Sequence, residues 1–149
     1  MLIALFSICA CTPHVNIQSG GIADEKWCEK DEDMPWTGCW QEIKQIDCES
    51  GELFEADEKI GEFRLKPDGR YSITWHPFET YTDYKGTYKI NSTQGTISFN
   101  HHDSTRFDGD GFYIIRENGD LELTDIWFGS FSPDSEIDPG RKNCGYVFQ

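Results

Sequence analysis

Basic residues are scarce in this chain: 13 Lys and Arg stand against 27 Asp and Glu, a formal charge of −14. No basic stripe interrupts that acidity, so a polyanion is repelled wherever the charges face it, and nucleic acid is not an expected partner. Long apolar runs are also lacking. The run from Met1 to Ala10 falls short of the roughly 20 residues that a bilayer span requires, which argues against a permanent transmembrane helix. The sequence has no Cys-x-x-Cys pair or Cys–His spacing for zinc, no Gly-x-Ser-x-Gly elbow for a serine hydrolase and no convincing amphipathic helix. Carboxylate pairs of the kind a glycosidase needs are too abundant among 27 acids to single one out.

What the N-terminus does have is a short apolar run ending in Ile8-Cys9-Ala10-Cys11, which resembles a bacterial lipobox. The resemblance implies export, removal of residues 1–10 as a signal peptide and tethering of Cys11 to a membrane by acyl chains. An ordinary secretory signal and a buried N-terminal strand are the alternatives. Thr12 stands where many Gram-negative lipoproteins carry the Asp that retains them at the inner membrane, so the resemblance points to the outer membrane, with the folded domain in the periplasm or at the cell surface. Residues 11–35 are polar and acidic, with Gly20-Gly21, and read as a tether. Residues 36–149 are of one-domain size.

The cysteines agree with export. Cys28, Cys39, Cys48 and Cys144 remain once Cys9 and Cys11 are set aside, an even number suited to an oxidising compartment. Three pairings are open to four cysteines. Cys28–Cys39, closing a short loop, and Cys48–Cys144, tying an early strand to the last one, are favoured, because the long closure removes the most unfolded-state entropy.

Beyond Trp36 a period of two dominates. Phe63 and Leu65 alternate with Glu62, Arg64 and Lys66; Pro67-Asp68-Gly69 turns the chain; Tyr71, Ile73 and Trp75 continue the apolar face. Tyr84, Gly86, Tyr88 and Ile90 form a further strand. The turn Asn91 to Gly95 then leads to Ile97 and Phe99. Phe112 to Ile115, the turn Glu117 to Asp120, and Leu121, Leu123, Asp125 and Trp127 make another hairpin, and Cys144 to Phe148 closes the series. With one strand near Gly38 to Asp47 and a weak one at Leu53, the sequence predicts an all-β fold, an antiparallel up-and-down barrel of about eight to nine short strands.

Gly38-Cys39-Trp40 resembles the G-x-W that opens the first strand of the lipocalin-like (calycin) barrels, and the terminal aromatic strand is similar to that of small lipocalin-like bacterial lipoproteins. The resemblance implies that Trp40 closes one end of a barrel. It also implies a basic residue across that tryptophan, for which Arg141 is the candidate, although it lies before the last strand rather than after it. Fold likeness alone does not carry a ligand or an activity.

Few clusters invite chemistry. His101-His102-Asp103 with Asp108-Gly109-Asp110-Gly111 offers metal donors, but the spacing fits no standard site and a polar loop explains it as well. No metal or other cofactor is assigned. Asp125 falls in phase with Leu121, Leu123 and Trp127, and an inward carboxylate there must be paired or have a raised pKa. Trp75-His76-Pro77-Phe78 and Tyr81 read as an aromatic loop, either a partner site or a cover over the core. The candidate ligand-binding residues are Trp40, Trp75, Tyr88, Asp125 and Trp127. Two non-catalytic functions are open: binding of a small apolar molecule inside the barrel, which needs a cavity beneath Trp75, Tyr88 and Trp127, or an envelope interaction or inhibitor module with a packed core that uses its loops and acidic surface.

Overall fold

The computed structural model describes Cys28 and residues 30–75, 84–101, 109–129 and 142–149. These residues form ten strands and no α-helix: β1 (Gly38–Trp40), β2 (Glu42–Asp47), β3 (Leu53–Phe54), β4 (Glu62–Leu65), β5 (Arg70–Thr74), β6 (Tyr84–Asn91), β7 (Thr96–His101), β8 (Asp110–Ile115), β9 (Leu121–Thr124) and β10 (Asn143–Phe148). One antiparallel sheet joins them in the order β1-β4-β5-β6-β7-β8-β9-β10-β2-β3. The sequence-based count of eight to nine is one short because residues 38–47 make two strands. At Gln41 the chain changes partners, β1 pairing with β4 and β2 with β10. Gln41 and Gln149 exchange backbone hydrogen bonds of 2.9 Å at the junction. The sheet is thus a curled half-barrel, and one continuous segment, 38–47, carries the edge strand β1 and, towards the other flank, β2, which lies between β10 and the edge strand β3.

Alternation places the core as expected. Phe63 and Leu65, Tyr71 and Ile73, Ile97 and Phe99, Leu121 and Leu123, and Tyr146 and Phe148 are buried, while the residues between them mostly face outward or are half-covered. Tight turns follow β4, β6 and β8, closed by Gly69 N–H to Lys66 O (3.0 Å), Gln94 N–H to Asn91 O (3.2 Å) and Gly119 N–H to Arg116 O (2.8 Å). Because every neighbouring pair is antiparallel, these turns lie at one end of the sheet. The strand ends from which residues 76–83, 102–108 and 130–141 depart lie at the other. Curling brings backbones close at Gly86, Gly111 and Gly145, where a Cβ would stand 2.0–2.2 Å from a carbonyl oxygen of the neighbouring strand. Glycines within strands permit that bend.

The end near the tight turns is closed by the N-terminal part of the chain. Trp40 is buried and donates its indole N–H to Trp36 O at 2.9 Å. Trp36 meets Tyr113 edge-to-face at 5.7 Å. Lys30 places its ammonium 4.0 Å from the Trp40 ring centroid. The basic residue across the tryptophan therefore comes from the N-terminal side; Arg141, the candidate from sequence, lies outside the described residues. Gly38 has φ 125°, a backbone state that side chains rarely adopt. The Cys28–Cys39 disulfide, eleven residues apart, holds the segment there, and Cys48–Cys144, ninety-six apart, ties the end of β2 to β10. Both favoured pairings are present.

Asp125 does not fall on the inward face. Its φ of 60° ends the alternation of β9, its side chain is exposed, and its N–H donates to Cys144 O at 2.8 Å. A left-handed residue shifts the phase of the residues after it. Ile126 and Phe128 are consequently fully buried, and Trp127, expected inside, is only half-buried.

Candidate functional site

The interior is where a ligand was expected, and aromatic rings cross it. Phe63 lies 5.9 Å from Phe99, 5.3 Å from Phe128 and 4.9 Å from Phe148, centroid to centroid. Phe99 meets Tyr71 at 5.0 Å and Phe128 at 5.2 Å, both edge-to-face, and Phe128 stacks on Tyr146 at 5.1 Å. These separations are those of rings in contact. Strands from opposite sides of the sheet thus touch through their side chains. Phe128 is central to this lattice; its N–H donates to the Tyr146 hydroxyl at 3.0 Å, which satisfies a buried polar pair.

Of the five candidate ligand-binding residues, Trp40, Trp75 and Tyr88 are buried among the core residues, whereas Asp125 and Trp127 are not part of that cluster. Tyr88 donates its hydroxyl to Lys66 O at 2.6 Å, and burial pushes its phenol up to about 12. It is a structural clasp on the β4–β5 turn. Trp40 and Tyr88 both serve the closed end. At the opposite end His101 sits beside two tyrosines: its Nδ1 is 3.3 Å from the Tyr71 hydroxyl and its ring meets Tyr84 edge-to-face at 5.1 Å. Burial raises the Tyr71 phenol well above its ordinary value.

His102, Asp103 and Asp108 of the metal-like cluster lie outside the described residues, as do Cys11, His76, Pro77, Phe78 and Tyr81. The two ends of that cluster differ in role: His101 faces the tyrosines, while Asp110 accepts a 2.5 Å hydrogen bond from the Ser98 hydroxyl. No group of metal-binding side chains occurs among the described residues.

Sequence reasoning missed Glu42. It is 3% exposed, the one acidic side chain buried among the described residues. Its Oε1 accepts from Gln45 Nε2 and its Oε2 from the Ile60 N–H, each at 2.8 Å. Burial pushes its carboxyl up to about 7, against the two hydrogen bonds and the Lys59 charge, which lower it. The period-two phase with Gly38 and Trp40 is the signal that was available. Ile43, one extra residue on β2 between the pairs Lys44–Val147 and Glu42–Phe148, then turns Gln45 inward as well.

On the outer face of β6, β7 and β8 an open groove of about 590 Å³ is lined by Lys89, Asn91, Thr96, Ser98, Asp110 and Phe112, among others. Phe112 is 49% exposed and its neighbour on the same face, Ile114, 56%. Neither was singled out from sequence, where both were assigned to an apolar strand without a face.

No family model matches this chain, and neither a curated protein nor a solved structure does.

Proposed function

We propose that the protein is a lipid-anchored, non-catalytic envelope protein whose lipocalin-like barrel has a packed core and serves as an interaction module. The observation that carries this reading is the contact of Phe63 with Phe99, Phe128 and Phe148 across the interior, at 4.9–5.9 Å. An apolar ligand beneath Trp75, Tyr88 and Trp127 would require those rings to part. The two disulfides support passage through an oxidising compartment, and the lipobox-like Ile8-Cys9-Ala10-Cys11 supports an anchor at Cys11, with the outer membrane as its place.

The partner is a protein of the envelope that presents a cationic face. Excess acid supports this chemistry, with Glu49, Glu52, Glu55, Asp57 and Glu58 all exposed around and after the β2–β3 hairpin. Cross-linking in intact cells, followed by recovery of the tagged full-length protein, tests the reading. One dominant partner is expected, its capture weakened by salt and by replacing Glu49, Glu52, Asp57 and Glu58 with their amides. Capture indifferent to both would overturn the electrostatic assignment, and absence of any partner the interaction reading itself.

A further inference from the structure

Strand register sets two rows across the outer face of β6, β7 and β8: Lys89, Ser98 and Asp110 in one, Asn91, Thr96 and Phe112 in the next. Thr96 and Ser98 are short, so the groove of about 590 Å³ lies above β7, between the longer side chains of β6 and β8. A cation stands on one bank and an anion on the other. The Ser98 hydroxyl holds Asp110, whereas Lys89 enters no ion pair among the described residues. Phe112 at the groove and Ile114 beyond it on β8 are exposed, and neighbouring apolar side chains in water mark an interaction surface.

Charge narrows the occupant. The chain carries −14, so two copies repel each other where their acids meet. This face is close to neutral: exposed Lys85 and Lys89 offset Asp110, and Arg116 is paired with Glu122 at its margin. A fitting partner must bring an anion to Lys89, a cation to Asp110 and an apolar group to the groove. A second copy of the chain brings all three.

We infer that the protein self-associates through this face, about a two-fold axis parallel to β7. Rotation about that axis lays each β6 over the partner's β8. Because Lys89 and Asp110 share a row, Lys89 meets the partner's Asp110 and Asp110 meets the partner's Lys89, a self-complementary contact. Phe112, in the same row as Asn91, covers the bank of the partner's groove. Thr96 and Ser98, on the axis, face their own counterparts. The surface is separate from the acidic hairpin of the partner reading above, since β2 and β3 end the sheet order and β6 to β8 occupy its middle.

Cross-linking of the full-length protein in its own membranes reads the axis directly. Thr96→Cys, treated with a bifunctional thiol reagent that spans about 10 Å, the spacing of packed sheets, is expected to give a species of twice the mass. Lys85→Cys, on the same face but off the axis, is expected to give little. Placed in the Thr96→Cys chain, Lys89→Asp and Asp110→Lys should each lower the yield about tenfold, and the two together should restore it, because each new charge meets its opposite on the partner. Restoration also shows that the single variants fold. A Thr96→Cys protein that stays single, or one captured by a different protein, would overturn the assignment. So would equal yields from Lys85→Cys, or a yield indifferent to the single charge changes.

Discussion

Lys30 holds its ammonium 4.0 Å above the ring centroid of Trp40, and the Cys28–Cys39 disulfide bonds the residue two before Lys30 to the residue before Trp40. The N-terminal side of the domain is thereby fastened over the tryptophan that begins the sheet. Lys30→Ala is expected to lower stability by about 0.5–1 kcal/mol, read as a shift in denaturant midpoint at unchanged slope. Lys30→Arg should retain the stability, and a Lys30→Ala variant as stable as the parent would show that the contact contributes nothing.

The two disulfides should differ in worth. Closing ninety-six residues, Cys48–Cys144 constrains the unfolded chain more than Cys28–Cys39 does with eleven. In the chain-entropy model the losses are about 5 and about 3 kcal/mol. Paired Cys→Ser variants compared by urea unfolding check the order; equal losses would mean that the long bridge adds little to a sheet already zipped by β2 and β10.

Gly111 is a steric requirement of the curl. A Cβ there would stand 2.1 Å from Thr124 O and 2.7 Å from Ile126 Cγ1. Both lie on the neighbouring strand or its extension, and backbone yields poorly. Gly111→Ala is expected to cost about 1–3 kcal/mol by thermal or denaturant unfolding. A neutral effect would show that β8 and β9 can separate there.

Asp125 offers a test of the phase change in the β9 segment. With φ at 60°, a β-branched residue is badly placed and glycine well placed. Asp125→Val should destabilise by about 1–2 kcal/mol, and Asp125→Gly should be neutral or stabilising. The reverse order would return the carboxylate to a role of its own.

Hairpins were legible in the sequence because alternation and turn chemistry agreed, as at Leu65–Pro67-Asp68-Gly69–Tyr71, and Gly38-Cys39-Trp40 marked the first strand through its likeness to a known strand opening. Phase errors were not legible. Asp125 looked inward by counting twos from Leu121, yet one left-handed residue moved the burial to Ile126 and Phe128. Ile60, a single apolar residue after Glu55 to Lys59, carried no periodic signal at all, since it joins the core from outside any strand and bonds to Glu42, eighteen residues away. Trp127 failed with Asp125, while Trp40, Trp75 and Tyr88 kept their places because no such break separates them from their own strands. The candidate site suffered most. Whether inward aromatics fill an interior or line it depends on their sum across many strands, which no single stretch of sequence displays.

Native mass spectrometry of the full-length protein released from membranes tests the central claim most directly, because it reports the anchor, the disulfides and any guest together. A lipid mass on Cys11, the loss of four hydrogens for two disulfides and no retained small molecule is the predicted result. A stoichiometric apolar molecule that stays bound on transfer and leaves on unfolding would contradict a core closed by Phe63, Phe99 and Phe128.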